Sequence, residues 1–183
     1  MMQADCKDIQ SIIRPAHIRD HRQLCDIAIQ AYQHYLPLMP RAPAPMHADF
    51  KRHIKDDLVF VCTRTGLETS EEEPQQPIGY LVAISRDHGW WLDNIAIHPH
   101  FQNRGLGRSL IDRLEQWFHT HHITSYQLYT NQIMTCNIAW YKRHGFVEID
   151  QRTEDGYQRI YFEKKLSSDR LEISTNCHDQ SCA

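Results

Sequence analysis

The hydrophobic positions of the chain fall into two kinds of short pattern. Apolar or alternating runs, which are typical of strands, occupy residues 12–14, 58–62, 78–84, 90–97, 126–130, 146–151 and 158–164. Apolar residues spaced three and four apart, which are typical of amphipathic helices, occupy residues 20–35, 47–55, 106–118 and 134–144. The predicted order is strand, two helices, three strands, helix, strand, helix and two strands.

Two internal segments lack either pattern. Residues 36–46 contain four prolines between Pro37 and Pro45, which excludes a regular helix or a central strand and predicts a stiff, extended loop. Residues 69–77 are polar and acidic, and are expected to form a mobile hairpin loop. An Asp155-Gly156 pair predicts a tight turn between the last two strands.

Composition limits the classes to which the chain can belong. At 183 residues, with 41% hydrophobic and 23% charged residues, it suits one domain with one hydrophobic core. The net charge of −3 gives no overall attraction to nucleic acid or to an anionic membrane, so neither partner is expected. Because no long apolar run or signal-peptide core is present, we expect a cytoplasmic protein. Residues 1–10 are expected to form a tail, and residues 167–183 a disordered one.

The cysteines and histidines do not indicate a metal. Six cysteines are scattered without a Cys-x-x-Cys pair, so free thiols are expected. His119, His121 and His122 cluster near the end of a predicted helix, where imidazoles suit the helix dipole. No carboxylate or cysteine shares a ligand spacing with them, and no metal is expected.

The most informative stretch runs from Leu92 to Leu110. An apolar strand ends before Pro99, and Gln102-x-x-Gly105-x-Gly107 then opens a helix. Glycines there leave backbone N–H groups unshielded, and these groups have no acceptor inside the helix. Together with the helix dipole and two arginines, Arg104 and Arg108, they predict a site for a phosphate or a pyrophosphate.

The glycine spacing separates this site from two common nucleotide loops. A Walker loop requires Gly-Lys-Ser/Thr where this chain has Gly107-Arg108-Ser109, and a dinucleotide fingerprint requires a third glycine at Leu110. The stretch closely resembles motif A of the GNAT family of acyl-CoA dependent N-acetyltransferases. The resemblance implies that the loop holds the coenzyme A pyrophosphate and that the strand lines the pantetheine arm. The residues so implied are Ile95, Ala96, Ile97, Gln102, Asn103, Arg104, Gly105, Leu106, Gly107 and Arg108.

A second landmark of the same family lies near the end of the chain. GNAT members often carry a Tyr, a short polar stretch and Gly-Phe, and this chain has Tyr141-Lys-Arg-His-Gly145-Phe146. The resemblance covers residues 11–166 as a single domain. It implies an α/β (α+β) fold with a central mixed, mostly antiparallel, twisted sheet of six to seven strands and about four helices. Met134 replaces the usual coenzyme-binding Asn, and either Asn131 or Asn137 is expected to take over that contact.

The chemistry implied by the resemblance is transfer of an acetyl group from acetyl-CoA to an amine in a ternary complex. The amine must first lose a proton, and Asp93 or a water relay is the expected route. Strand alternation would place Asp93 and Asn94 on opposite faces, with one of them in the site. A backbone N–H from Ile95–Ile97 is expected to stabilise the developing oxyanion. The resemblance gives Tyr141 the role of the acid that protonates the leaving thiolate.

Several alternatives remain open from the sequence. The acceptor is a primary amine of a small molecule or an amino group of a peptide or protein. The proline segment is either one wall of the acceptor pocket or a stiff connection between two helices. A non-catalytic acyl-CoA binding module with the same fold is the alternative function. Family members are often homodimers, but nothing in this sequence identifies an interface.

Overall fold

The computed structural model describes residues 11–64, 76–86, 88–154 and 156–167. Across these residues, seven strands and four α-helices follow one another in the predicted order. The strands are β1 (Ser11–Pro15), β2 (Leu58–Arg64), β3 (Pro77–Arg86), β4 (Gly89–Ile97), β5 (Ser125–Asn131), β6 (Val147–Glu154) and β7 (Tyr157–Lys165). The helices are α1 (His21–Tyr32), α2 (Phe50–Asp56), α3 (Leu106–Thr120) and α4 (Thr135–Arg143).

All seven described strands belong to one mixed sheet. Its strand order is β1-β2-β3-β4-β5-β7-β6. Only the β4–β5 pair is parallel among these neighbours, and α3 supplies the long crossover that a parallel connection requires. The predicted fold class, a mostly antiparallel sheet of six to seven strands with about four helices, is confirmed.

Helices cover both faces of the sheet. On one face, the apolar stripe of α3 is buried against β2, β3, β5 and β7, and α4 adds Tyr141 to the same cluster. On the other face, Leu24, Ile27 and Ala28 of α1 are fully buried against β2 and β3. Because β2 and β3 lie between the two layers, they are buried along most of their length, which explains their continuous apolar runs.

The proline segment differs from the extended loop that the sequence predicts. α1 ends at Tyr32 rather than near residue 35, and two 3-10 helices follow at Gln33–Leu38 and Ala44–His47. A single 3-10 turn needs few backbone N–H donors, so prolines that exclude an α-helix are tolerated in it. α2 begins at Phe50, later than predicted, where Asp49 accepts a hydrogen bond from the N–H of Arg52.

Some predictions fall outside the described residues. These are the tails at 1–10 and beyond residue 167, most of the acidic loop at 69–77, the Asp155 half of the predicted turn, and Cys6, Cys177 and Cys182. The other three cysteines, Cys25, Cys62 and Cys136, are free thiols. Within the described helices, none combines the length and the apolar character needed to cross a membrane.

Candidate active site

A gap between β4 and β5 interrupts the sheet. The two strands are paired at two positions, Trp90 with Tyr126 and Trp91 with Gln127. Both strands continue well beyond this point, β4 to Ile97 and β5 to the end of its range. Past the second pair they are no longer partners of each other, so backbone groups on the facing edges remain available to a ligand.

β4 carries a bulge at Asp93, inside the gap. On β3, Val82 lies opposite Asn94 whereas the next residue, Ala83, lies opposite Leu92, so Asp93 is left out of the backbone pairing with β3. An extra residue of this kind breaks the strict alternation of side chains along a strand. The prediction that only one of Asp93 and Asn94 can point into the site is therefore wrong, because both line the same cavity.

The gap opens into a cavity of about 480 Å³, a size typical of small-ligand sites. It is lined by β4 from Leu92 to Ile95, by β5 from Tyr129 to Asn131, and by residues of α4. The proline segment lines it through Met39 and residues 41–45. Of the two interpretations of this segment, the structure supports a pocket wall rather than a mere connection.

The N-terminus of α3 is open, as the glycine motif predicts. Gly105 precedes the helix with φ +77°, and a Cβ built on it would meet no atom within 4 Å. Asn103 is also left-handed, with φ 60°. Residues 102–105 are exposed and no side chain of the described residues caps the helix, so the N–H groups of its first turn are available to an anion.

The two predicted arginines differ in their surroundings. Arg108 forms an ion pair with Asp112 one turn along α3, with 2.8 Å between Nε and Oδ1. Arg104 is exposed and forms no ion pair with the described residues. Arg104 is therefore the arginine of the motif whose charge is not already neutralised by a carboxylate.

Two contacts tie this loop to the cavity. The side-chain amide of Gln102 donates to the carbonyl oxygen of Ile97 at 3.0 Å, which fixes the loop to the end of β4. A Cβ on Gly107 would lie 3.4 Å from the ring of Trp140, the neighbour of Tyr141 on α4. The glycine thus lets α3 and α4 approach closely beside the gap.

Tyr141 is 8% exposed and lines the cavity. Its ring packs against Phe146, with the ring centroids 5.5 Å apart, and its hydroxyl forms no hydrogen bond with the described residues. Burial, with a smaller effect of Tyr35, raises the pKa of Tyr141 well above the usual range. The hydroxyl is therefore fully protonated at neutral pH and has a proton to donate.

The structure distinguishes the two asparagines that could replace the usual coenzyme contact. Both Asn131 and Asn137 line the cavity, as does Met134. The side-chain oxygen of Asn131 already accepts a hydrogen bond from the N–H of Ile133 at 3.0 Å. Asn137 makes only a long contact, 3.8 Å, with the sulfur of Met134, so its amide is the more available of the two.

Of the other predicted coenzyme residues, Ile95 alone belongs to the described lining of the cavity. The side chain of Ala96 is 6% exposed and packs in the α1 cluster. Ile97 is half-buried against the α3 cluster. Any contribution of Ala96 to a ligand in the gap must therefore come from its backbone.

Sequence reasoning missed several residues of the cavity. The hydroxyl of Tyr32 donates to the side-chain oxygen of Asn94 at 3.1 Å, and burial raises the pKa of Tyr32 well above its ordinary value. His53 of α2 lines the cavity, and its Nδ1 lies 2.9 Å from Oδ2 of Asp57. The remaining polar lining residues that were not predicted are Arg41, Tyr129, Thr130, Tyr157 and Arg159.

One of these residues had a signal in the sequence. His53 and Asp57 are four residues apart, the spacing that places two side chains on one helix face. Thirteen histidines obscure the signal, and nothing local shows that α2 faces the gap. The described residues contain no group of three or more His, Cys, Asp or Glu side chains that could hold a metal ion.

Comparison with known proteins agrees with this geometry. A family model described as the acetyltransferase (GNAT) domain matches residues 56–148. A comparison with curated protein sequences finds no significant match. The fold is similar to PaiA N-acetyltransferase of Thermoplasma acidophilum in complex with coenzyme A, at 16% identity and a TM-score of 0.67, over 86% of this chain and 100% of that chain.

Two further structures share the fold. One is the ribosomal-protein-S18-alanine N-acetyltransferase of Escherichia coli, with 19% identity, a TM-score of 0.64, and coverage of 88% of this chain and 99% of that chain. The other is the NatC complex bound to Gag peptide and CoA, with 12% identity, a TM-score of 0.62, and coverage of 87% and 100%. Because the family match spans about half of the sequence and the fold agrees, the chain belongs to the GNAT acetyltransferase family.

Proposed function

We propose that the protein is an N-acetyltransferase that moves an acetyl group from acetyl-CoA to a primary amine by direct attack in a ternary complex. The observation that carries the proposal is the position of Tyr141. Its ring lines the cavity in the β4–β5 gap, while the adjacent Trp140 lies against Gly107 at the start of α3. The proposed acid and the proposed anion site thus lie on two helices, α4 and α3, that meet beside the gap, which suits a donor whose thioester and diphosphate are joined by a pantetheine arm.

The α3 N-terminus fits the diphosphate of acetyl-CoA. A positive-φ glycine without a Cβ, an uncapped first turn and the charge of Arg104, which has no ion-pair partner among the described residues, favour an anion there. The pantetheine arm is assigned to the free edge of β4 from Ile95 to Ile97, with Asn137 as the amide partner. Acetyl-CoA, as co-substrate, supplies the reactive acetyl thioester, and no metal is assigned to the reaction.

The transfer forms a carbon–nitrogen bond and breaks a carbon–sulfur bond. The amine nitrogen must be neutral to attack, although an alkylamine is mostly protonated at neutral pH. Asp93 is assigned to binding of the acceptor amine. It lines the cavity, and its carboxylate attracts an ammonium group. Tyr141 donates a proton to the departing sulfur, for which a protonated hydroxyl is required.

The walls of the cavity support the proposed acceptor class. The proline segment and the β7 residues Tyr157 and Arg159 line it, so the acceptor chain lies between these two segments. Four tyrosines give apolar walls that can hold the hydrocarbon part of an amine. Two structural neighbours are described as acting on a ribosomal-protein alanine or as bound to a peptide, so a peptide or protein amino group is proposed beside small amines.

Two measurements test this function. Calorimetry with acetyl-CoA should show binding, and thiol release should accelerate when one member of an amine panel is added: spermidine, tyramine, L-lysine and a peptide with an N-terminal alanine. Binding of acetyl-CoA without release of the coenzyme A thiol in the presence of any amine of the panel would identify a non-catalytic acyl-CoA module instead. Absence of acetyl-CoA binding by folded protein would refute both functions.

A further inference from the structure

Two side chains that line the cavity, Asp93 and His53, are of the types that serve as general bases in enzymes. The ionisable lining residues are tyrosines, arginines, Asp93 and His53. The arginines remain charged, and burial raises the pKa of both Tyr32 and Tyr141, so these hydroxyls remain protonated. The proton of the acceptor ammonium must therefore pass to Asp93, to His53, or to water.

The imidazole of His53 is held in one orientation by a carboxylate. Its Nδ1 lies 2.9 Å from Oδ2 of Asp57, one helical turn away. An ionised carboxylate only accepts hydrogen bonds, so Nδ1 carries the proton and donates. In the neutral ring the free lone pair is consequently on Nε2, the same division of roles that a carboxylate imposes on the histidine of a catalytic triad.

Packing places this imidazole at the cavity. Phe50 anchors α2 in the core, 2% exposed, with its ring edge on Tyr80 at 4.9 Å between centroids. His53, three residues later, lies on the same helix face and is 8% exposed. Within the described part of the chain, Nε2 has no hydrogen-bond partner, so this nitrogen is left for a group in the cavity.

Asp93 is in a different electrostatic position. Its Oδ1 lies 3.5 Å from Nη2 of Arg86, and its side chain is 27% exposed. Asp93 lines the cavity, which suits its carboxylate to attract the ammonium of the acceptor, and the ion pair with Arg86 already engages one of its oxygens. Imidazole is the side chain whose basicity is best matched to neutral pH.

We propose that His53 is the general base of the acetyl transfer, and that Asp57 is its positioning residue. This inference rests on the proposed function. Nε2 takes one proton from the acceptor ammonium, and the carboxylate of Asp57 stabilises the imidazolium that forms. The neutral nitrogen then bonds to the acetyl carbon as the carbon–sulfur bond breaks. His53 returns its proton to solvent. Tyr141 gives its hydroxyl proton to the departing sulfur, and the second proton that the nitrogen loses restores the Tyr141 hydroxyl.

The test compares His53→Gln with a matched control, His47→Gln. His47 is exposed, lies on the 3-10 turn Ala44–His47 and does not line the cavity. Thermal unfolding and acetyl-CoA calorimetry establish that each variant is folded and binds acetyl-CoA. Thiol release is then measured with the amine of the panel that the parent protein uses best.

The expected result is a loss of kcat of about 100-fold or more in His53→Gln, the usual contribution of a general base. Acetyl-CoA affinity should stay within about threefold, and His47→Gln should resemble the parent. Asp57→Asn should lose about tenfold in kcat, because the ring loses its fixed tautomer. Added imidazole should restore part of the activity of His53→Ala. A purely structural role of the His53–Asp57 pair would not allow such a rescue.

Two results would overturn the base assignment. One is a His53→Gln variant that keeps more than about a third of the parent kcat. The other comes from Asp93→Asn, which remains informative if His53 variants fail to fold. If Asp93 only attracts the ammonium, this change should raise the KM for the amine and leave kcat within about threefold, whereas collapse of kcat would make Asp93 the base. A parent protein that binds acetyl-CoA but acetylates no amine refutes the proposed function and, with it, this base.

Discussion

Replacing Gly105 by glutamate tests the anion site at the start of α3. Gly105 has φ +77°, and a Cβ there would project into open space. The Cβ that the substitution adds therefore displaces no atom of the described residues. The substitution adds backbone strain and places a carboxylate beside the N–H groups that we assign to the diphosphate of acetyl-CoA.

The size of the effect can be worked out by separating strain from charge. A non-glycine residue in the left-handed region costs roughly 1–2 kcal/mol of folding free energy, whatever its side chain. Two unit charges about 5 Å apart at an effective dielectric constant of about 20 repel by roughly 3 kcal/mol. That repulsion weakens acetyl-CoA binding by more than about 100-fold, and the side chain also occupies ligand space.

Calorimetric titration with acetyl-CoA is the assay, with two matched controls. Gly156→Glu introduces the same side chain at φ +81° with open space around it, but in the β6–β7 connection rather than at a helix N-terminus. It should lose similar thermal stability and keep the parent affinity. Gly105→Gln carries a side chain of the same size without the charge. Its affinity for acetyl-CoA should lie between those of Gly105→Glu and Gly156→Glu. If Gly105→Glu binds acetyl-CoA within about threefold of Gly156→Glu, the diphosphate is not at this site.

Three further changes test other parts of the structure. Tyr141→Phe should lower kcat by about 10- to 100-fold with little change in acetyl-CoA affinity, and equal rates for variant and parent would remove its role as the acid. Tyr80→Phe should leave the free energy of unfolding unchanged or raise it by about 1 kcal/mol, because the Tyr80 hydroxyl is buried beside the Asn94 side chain but forms no hydrogen bond of good geometry with the described residues; a clear loss in urea unfolding would contradict this. Asp20 is 5% exposed; burial raises its pKa, but hydrogen bonds from Arg14 and from the His17 N–H outweigh burial and lower it. Asp20→Asn should therefore destabilise the protein by about 2–3 kcal/mol at neutral pH. The difference from the parent should shrink as the pH falls below about 4, and a difference that is constant down to pH 2 would refute the ion-pair explanation.

Local pattern was enough to predict the elements of the fold. The spacing of Leu110, Ile111, Leu114 and Phe118 predicts the helix that buries these residues, and all four are fully buried. Element boundaries failed where prolines compete with helix formation, because short 3-10 turns leave no periodic signature of their own. The glycine motif likewise predicts the open α3 N-terminus, since an uncapped helix start depends on residues adjacent in sequence.

The contents of the cavity could not be predicted in the same way. The bulge at Asp93 arises from its pairing with β3, and it brings both Asp93 and Asn94 to one cavity against the alternation of an isolated strand. His53 faces the gap because Phe50 anchors α2 beneath Tyr80, a contact between segments thirty residues apart. Neither the bulge nor the orientation of α2 toward the gap has a signal within a few residues, because the spacing of His53 and Asp57 shows only that the two side chains share a helix face.

The sequence by itself therefore determined the order of strands and helices, the GNAT family resemblance and the glycine-led, uncapped start of α3. These properties depend on backbone preferences and on hydrophobic spacing, which act between near neighbours. Only the tertiary structure decided which residues share the cavity: the proline wall, the two β4 residues at the bulge, and the His53–Asp57 pair. Strand pairing and helix packing set these positions, because they join residues that are distant along the chain.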